Sequence, residues 1–323
     1  MILVTGGAGY IGSHYVLYER ERGNEALVLD DLSLGHREAV LDAPLIVADL
    51  SNEAVLDAVF RSYPIDAVVH FAALASVPES VAKPHRYYRH HVAHTITLLD
   101  AMRRHSIPYL VFSSSCATYG DPQYTPMDER HPQNPINPYG ESKRICERMM
   151  QSFDEAYGLR YVSLRYFNAS GADPEARIGE SHDPETHLIP IVLQAANGKR
   201  RSVAVYGNDY ATPDGTCIRD YVHVNDLAQA HALALDRLRA GGPSATYNVG
   251  SGTGHSVQDV IAACREVTGR QIPVEEAPRR AGDPPILVAS SAKAEAELGW
   301  RPQYADLHTI VETAWRWEEN RRF

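Results

Sequence analysis

Ser115, Tyr139 and Lys143 are the residues of this chain whose types and spacing could move a proton. Tyr139 and Lys143 stand four apart, which on a helix puts both side chains on one face. Ser115 closes the run Ser113-Ser114-Ser115 upstream of them. An unperturbed phenol titrates at about 10 and is a poor base at neutral pH. A neighbouring cation favours the phenolate, so an ammonium beside Tyr139 would lower that value and make it a usable acid or base. A serine hydroxyl could then hold a substrate oxygen against the phenol. A tyrosine and a lysine on a helix surface are ordinary by themselves; the residues before them in the chain give them meaning.

That context is Gly6-Gly7-Ala8-Gly9-Tyr10-Ile11-Gly12, directly after the apolar run at 2–5. Glycines at this spacing permit a tight strand-to-helix turn and let backbone approach a pyrophosphate, while the helix N-terminus offers free N–H groups. Asp30 follows Gly12 by 18 residues and ends the second apolar run. A carboxylate there can accept hydrogen bonds from adenosine ribose hydroxyls and would repel a 2′-phosphate, so NAD is expected rather than NADP. The positive nicotinamide ring would then join Lys143 in lowering the Tyr139 value. Asp49-Leu50 and Phe71-Ala72-Ala73 fall at the ends of the third and fourth runs, the edge at which such sheets bind ligands.

Elements that could position these residues are legible in the first half. Strands are expected at 2–5, 26–30, 45–49, 67–71, 109–113 and 160–166, and helices at 11–22, 52–62, 84–105 and 140–157. Pro84 and Pro138 stand where a helix start tolerates proline. Strands alternating with amphipathic stretches give an α/β fold, a doubly wound parallel sheet of the Rossmann type. After about residue 170 the alternation weakens at Gly171-Ala172-Asp173-Pro174 and at 209–215. This predicts an NAD-binding domain over 1–170 and a smaller C-terminal substrate lobe over 171–323, with strand-like segments at 203–206 and 246–249 able to return to the first sheet.

Composition narrows the function. The chain has 323 residues, 44% hydrophobic and 22% charged, the balance of a folded globular protein. Its 31 Lys and Arg against 41 Asp and Glu leave a net charge of −10, and Lys199-Arg200-Arg201 is its longest basic run, so no nucleic-acid role is expected. Cys116, Cys146, Cys217 and Cys264 form no CxxC pair, which points to a reducing cytoplasm rather than a disulfide or zinc framework. No apolar stretch has the length of a membrane span, and no membrane association is expected.

In the order TGGAGYIG at 5–12, Ser115, and Tyr139 with Lys143, the chain resembles the extended short-chain dehydrogenase/reductase family. The segments at 70–74, 79–84, 112–120, 137–143, 164–172, 207–228 and 277–283 make it similar, within that family, to the UDP-sugar 4-epimerases over nearly the whole chain. The resemblance implies an isomerase: Tyr139 takes the proton of the sugar 4-hydroxyl while hydride passes from C4 to NAD, and the 4-keto sugar turns over and is reduced from its other face. The substrate pair implied is UDP-glucose and UDP-galactose. UDP-xylose and UDP-arabinose, or a net NAD-dependent nucleotide-sugar oxidation, are the alternatives. Lys143 would hold the nicotinamide ribose and Ser115 would bond the 4-oxygen. Tyr10, Ile11, Asp31, His90, Ser113 and Tyr166 join the cofactor contacts by the same resemblance.

At the other end of the substrate, the resemblance implies Arg219 and Arg280 for the phosphates, and Asn168 and Asp283 for the diphosphate and ribose. Ala204, Val205 and Tyr206 would line a uracil slot, with His187, Leu188 and Tyr221 beside them. Three positions depart from the commoner pattern: His187 for asparagine, Ala75 for a lysine that helps the cofactor, and His90 for asparagine. Leu287 stands where the family limits sugar size, so N-acetylated hexosamines are expected to enter weakly. In the histidine-rich run 85–94, His90 and His94 would share a helical face, but no carboxylate or cysteine joins them at ligand spacing, and no metal is expected. The resemblance further implies a homodimer in which helices 84–105 and 140–157 pair with their copies.

Overall fold

The computed structural model describes residues 1–280 and 282–323; Ala281, inside the 277–283 segment, lies outside the described residues. The strands are β1 (Ile2–Thr5), β2 (Ala26–Asp30), β3 (Leu45–Val47), β4 (Ala67–His70), β5 (Tyr109–Ser115), β6 (Arg160–Tyr166), β7 (Asn168–Ser170), β8 (Val203–Tyr206), β9 (Ile218–His223), β10 (Ala245–Val249), β11 (Gly254–Ser256), β12 (Val274–Ala277) and β13 (Ile286–Leu287). The α-helices are α1 (Tyr10–Glu21), α2 (Glu53–Ser62), α3 (Val77–Ala82), α4 (Pro84–Tyr87), α5 (His94–Arg104), α6 (Pro138–Tyr157), α7 (Leu188–Ala196), α8 (Val224–Arg239), α9 (Val257–Thr268), α10 (Ala292–Leu298) and α11 (Leu307–Asn320).

Residues of β1, β2 and β4 are buried at every position, as a parallel sheet covered on both faces requires. Seven strands pair in the order β10-β6-β5-β4-β1-β2-β3, all parallel. The strand period of two sorts their side chains between two cores. Ile2, Val4, Val28, Val69 and Val162 pack with Tyr15 of α1 and Leu227 and Leu235 of α8. Leu3, Leu27, Val68, Leu110 and Phe112 pack with Leu56 of α2, Leu98 and Met102 of α5 and Met150 of α6. A third core joins α7, β8, α9 and α11 in the smaller lobe. The architecture is therefore the expected doubly wound sheet with a smaller lobe. Among the described residues no helix is long and apolar enough to cross a membrane.

Two expected elements differ. The stretch 84–105 is three pieces, α4, a π-helical turn over Tyr88–Ala93, and α5. A π turn takes an extra residue and rotates the helix beyond it, and here His91 is buried within it. Of the two strands that could return to the first sheet, only 246–249 does, as β10 beside β6. The 203–206 strand pairs with β12 instead, because Val203 and Val205 bury into the smaller lobe's core.

Candidate active site

The glycine turn has the shape its sequence implies. Gly6 takes φ +73°, and a Cβ there would lie 2.4 Å from the Ala72 nitrogen; one at Gly12 would lie 2.2 Å from the Gly6 carbonyl. At Gly9, by contrast, a Cβ would meet only the Gly6 oxygen at 3.4 Å, so that side of the turn is open. Gly9 is the N-cap of α1 and carries no capping side chain, which leaves the first helical N–H groups to a ligand. Asp30 accepts from Ala8 N at 3.0 Å and Leu32 N at 2.9 Å, while burial raises its value above the carboxylate norm. Asp31 lies beside it, exposed, and accepts from Ser33 N at 2.8 Å. An open anion cradle followed by an aspartate at the end of β2 fits a dinucleotide with a free ribose diol.

Around that cradle the expected cofactor residues divide. Tyr10 donates its hydroxyl to the Gly171 carbonyl at 2.6 Å, Ile11 packs on the core beneath, and Asp49 accepts from Ser51 N at 2.7 Å with the His94 ring 3.7 Å away. His90 stacks near His94, ring centres 4.7 Å apart. Leu50 and Phe71 turn into the two cores. The Phe71 and Ala72 amides both donate to the Thr5 carbonyl, so this strand end, Ala73 included, offers a ligand mainly shape.

The reacting group forms where β5 meets α6. Asn137 caps α6 by accepting from Gly140 N at 2.9 Å, and Pro138 opens its first turn. Gly140 lets the helix start close on the strand end: a Cβ there would sit 2.2 Å from the Ala117 carbonyl. Tyr139, in that first turn, is thereby brought near the Ser115 hydroxyl, which favours its phenolate. One turn on, Lys143 is buried and donates to the Ser113 carbonyl at 2.7 Å. Its ammonium stands 4.8 Å from the Phe112 ring centre and 6.0 Å from that of Tyr139. Ser113 also shares a hydrogen bond with the Tyr166 hydroxyl.

Burial pushes Tyr139 up to about 12 and Lys143 down to about 8. The expected lowering at Tyr139 is therefore not built by the protein alone. Loss of hydration outweighs the influence of the Ser115 hydroxyl, and the Lys143 charge is aimed at a backbone carbonyl.

Two supports escaped the sequence reading. His91, within the histidine-rich run 85–94, is buried with Nδ1 2.7 Å from the Ser142 hydroxyl, its ring edge-on to Tyr139 at 5.7 Å. Beneath the serine strand, Arg165 makes two hydrogen bonds to Glu147, at 2.9 and 2.6 Å, and Glu147 also accepts from Ser114 Oγ at 2.6 Å. The cue for the second was Arg165 inside the apolar run of β6; Glu147, one of several charges on α6, gave none.

The substrate end assembles on β9 and its neighbours. Arg219 pairs in register with Leu287 of β13, and Asn168 of β7 with Tyr221. Arg219 donates to the Ile218 and Pro284 carbonyls at 2.9 and 2.8 Å, and stands 3.7 Å from Asp283. Arg280 stands 3.2 Å from the other oxygen of Asp283, with its guanidinium 4.4 Å over the Tyr206 ring. Two guanidiniums around one carboxylate leave a net positive patch beside an exposed aromatic face, the donor set for a nucleoside diphosphate. Asn168 donates to the Asp220 carbonyl at 2.9 Å. Strand alternation corrects the slot: Val205 faces the core, leaving Ala204 and Tyr206 on the other side of β8. Tyr221 also lies in that core.

Leu287 and Cys116 pack on one cluster of Tyr119, Met127, Phe167 and Ala289, which joins the substrate strands to the residue after Ser115. His187 precedes Leu188 at the start of α7 and is held by Glu180 and Glu185, 2.7 and 3.2 Å away.

The chain is similar to known proteins over nearly its whole length. The UDP-glucose 4-epimerase of Halalkalibacterium halodurans is 54% identical over 98% of this chain and 95% of its own length. The crystal structure of UDP-glucose 4-epimerase from Brucella ovis in complex with NAD superimposes with a TM-score of 0.96 at 50% identity, covering 98% of this chain and 97% of that one. That of the Bifidobacterium longum enzyme in complex with NAD+ and UDP gives 0.94 at 36% identity, covering 99% and 98%. The pattern of the NAD dependent epimerase/dehydratase family matches residues 2–250, and the chain belongs to that family.

Proposed function

We propose that this chain is an NAD-dependent UDP-glucose 4-epimerase, an isomerase that interconverts UDP-glucose and UDP-galactose. The observation that carries the reading is Tyr139 in the first turn of α6, one turn before the buried Lys143 that ties the helix to the serine strand, in a chain of the NAD dependent epimerase/dehydratase family. NAD, when bound, supplies a hydride acceptor and returns the hydride, so the reaction involves no net redox change. Tyr139 accepts the proton of the sugar 4-hydroxyl and gives it back to the re-reduced oxygen. Ser115 holds that oxygen against the phenol, and Lys143 fixes the serine strand and adds positive charge near the site. Arg219, Arg280 and Asp283 hold the diphosphate and ribose, with Tyr206 and Ala204 against the uracil. The high identity to UDP-glucose enzymes favours the hexose over a UDP-pentose or a net oxidoreduction.

The reading extends to organisation. Residues 1–170 form the NAD-binding domain and 171–323 mainly the UDP-sugar lobe, from which α8 and β10 pack back on the first. A homodimer through α5 and α6 is supported by Ile145, Met149 and Phe153, which lie along one outward strip of α6 around a shallow groove, and by the exposed Ile96 of α5. The place of work is the cytoplasm, in galactose metabolism, and no nucleic acid or membrane takes part.

The test is proton NMR of the purified protein with UDP-galactose and no added cofactor, following the anomeric signals. UDP-glucose growing to a steady ratio is the expected result. Steady accumulation of an oxidised sugar, or conversion of UDP-xylose alone, would replace the reading with one of its alternatives.

A further inference from the structure

We propose that Glu180, His182, Glu185 and His187 form a binding site for one divalent metal ion of the zinc class. Among the described residues this is where His, Cys, Asp and Glu ligand atoms converge, all four lying within 4.8 Å of one another. His187 Nδ1 is 2.7 Å from Glu180 and 3.2 Å from Glu185, and His182 Nδ1 is 3.1 Å from Glu180 and 3.8 Å from Glu185. Four N and O ligands bonded to zinc at about 2.0–2.1 Å stand about 3.3–3.4 Å apart at the edges of their tetrahedron. The separations that involve Glu180 Oε1 and the free Glu185 Oε2, 2.7, 3.1 and 3.8 Å, straddle that edge length. Two imidazoles and two carboxylates are also a donor set that zinc accepts readily, whereas magnesium and calcium favour an all-oxygen shell.

The loop that carries the ligands is built in advance. It runs between β7 and α7 and is anchored by the C-terminal segment: the Trp317 indole donates to the Glu180 carbonyl at 2.8 Å and Ser181 Oγ to the Phe323 carbonyl at 3.0 Å. Gly179 fits flat under Trp317, where a Cβ would lie 2.3 Å from the ring. Glu185 Oε1 accepts from the amides of Thr186 and His187 at 2.7 and 2.9 Å, outer bonds of the kind that orient a ligating carboxylate and leave its second oxygen free. Both glutamates are nearly fully buried, so their two charges, set this close, call for cations within the cluster. As the ion enters, each imidazole releases its Nδ1 proton to solvent and keeps its Nε2 proton.

The site would act as a staple. His182 stands edge-on to Tyr10 of the glycine turn at 6.4 Å, and His187 leads into α7 of the smaller lobe. A metal here ties the substrate lobe to the cofactor turn without entering the reaction.

The protein, stripped with a chelator and dialysed, is titrated with Zn2+ against a metal-sensitive dye and, separately, with Co2+ followed by its visible absorption. About one equivalent bound per chain, with the intense bands of four-coordinate cobalt, is the expected result, and His182→Ala and Glu180→Gln should each weaken binding by about 10–100-fold or more. Binding unchanged in both variants, or none in the parent chain, overturns the proposal. Because a variant could lose its fold, an anomalous difference map of a zinc-soaked crystal of the unaltered chain provides a second readout. A peak among these four side chains supports the site, and peaks only elsewhere overturn it. Neither readout depends on epimerase activity.

Discussion

The Lys143 ammonium donates to the Ser113 carbonyl at 2.7 Å, so the helix that carries Tyr139 is tied to the strand that carries Ser115. The ammonium sits in a buried position that lowers it to about 8. Its ordinary value is about 10.4, which fixes the sign of the linkage. Below pH 8 the lysine is charged in both folded and unfolded chains, and the folded state bears the desolvation cost. Between about pH 8 and 10.4 the folded group has released its proton while the unfolded one still binds it, so unfolding becomes harder as pH rises. Lys143→Met should remove that dependence. The difference in urea-unfolding free energy, parent minus variant, should rise by about 3 kcal/mol across the window, and a flat difference would show that the lysine keeps its charge in the fold.

Tyr139→Phe removes the phenol proposed to carry the proton and keeps the ring against His91 and Tyr87. Epimerisation should fall by about 10²–10⁴-fold, the range of general acid–base catalysis, while NAD content after purification is unchanged. Ser115→Ala removes one hydrogen bond to a developing charge and should cost about 10–100-fold. Equal activity of Ser115→Ala and the parent chain would place the 4-oxygen contact elsewhere.

Behind that site the Arg165–Glu147 pair is buried on both sides. Removing one partner leaves an uncompensated charge, and Arg165→Met should destabilise the chain by about 3–5 kcal/mol. Arg165→Met with Glu147→Met should recover most of that loss, which thermal unfolding of the three chains would read. A double variant as unstable as the single one would show that the hydrogen bonds to Ser114 and Tyr119, rather than the charge balance, hold this layer.

On the proposed reading, Asp30 carries the cofactor preference. Its two oxygens each accept one backbone amide, with lone pairs left for a ribose diol. Asp30→Ala should weaken NAD binding by about 10–100-fold, read as the NAD-to-protein ratio after gel filtration and by titration of NAD into the depleted chain. NADP binding should gain relative to NAD, since the repulsion of a 2′-phosphate is gone; an unchanged ratio of affinities would locate the discrimination at Asp31.

Much of this was legible in the residues themselves. The glycine turn, Asp30 and the Tyr139–Lys143 spacing are local patterns, and local patterns fix strand, turn and helix start together. The features that were not legible depend on side chains meeting across distance or on charge placed in a low dielectric. His91 is one of several histidines in its run and nothing local singles it out; the π turn that holds it buried depends on packing. The Tyr139 value moves opposite to the expected direction because burial, invisible in a sequence, outweighs the nearby Ser115 hydroxyl, and Lys143 points to the Ser113 carbonyl instead. Val205 and Tyr221 are shared with the core of the smaller lobe, and strand alternation decides between slot and core only once the strand's partner is known. The Glu180 to His187 cluster was missed because its four members are spaced by two and three residues in a loop with no helix or strand period to bring them together.

The sugar pocket gives the last prediction. Leu287 lies in register with Arg219 and packs with Cys116 on the Tyr119 and Met127 cluster, so its side chain borders the path between the phosphate-binding strand and the reacting serine. On the proposed reading the sugar lies along that path, where a bulky group takes up the room that an N-acetyl substituent needs, and Leu287 is joined to a packed wall rather than free to swing away. Leu287→Ala should raise turnover of UDP-N-acetylglucosamine relative to UDP-glucose by about tenfold or more, the worth of one or two methylenes in a pocket. The same change removes part of a packed cluster and should cost about 2 kcal/mol of stability. Rates with both sugars, measured below the unfolding range of the variant, separate the two effects. A ratio that stays fixed while stability drops would make Leu287 a packing residue of the wall and move the size limit to another side of the pocket.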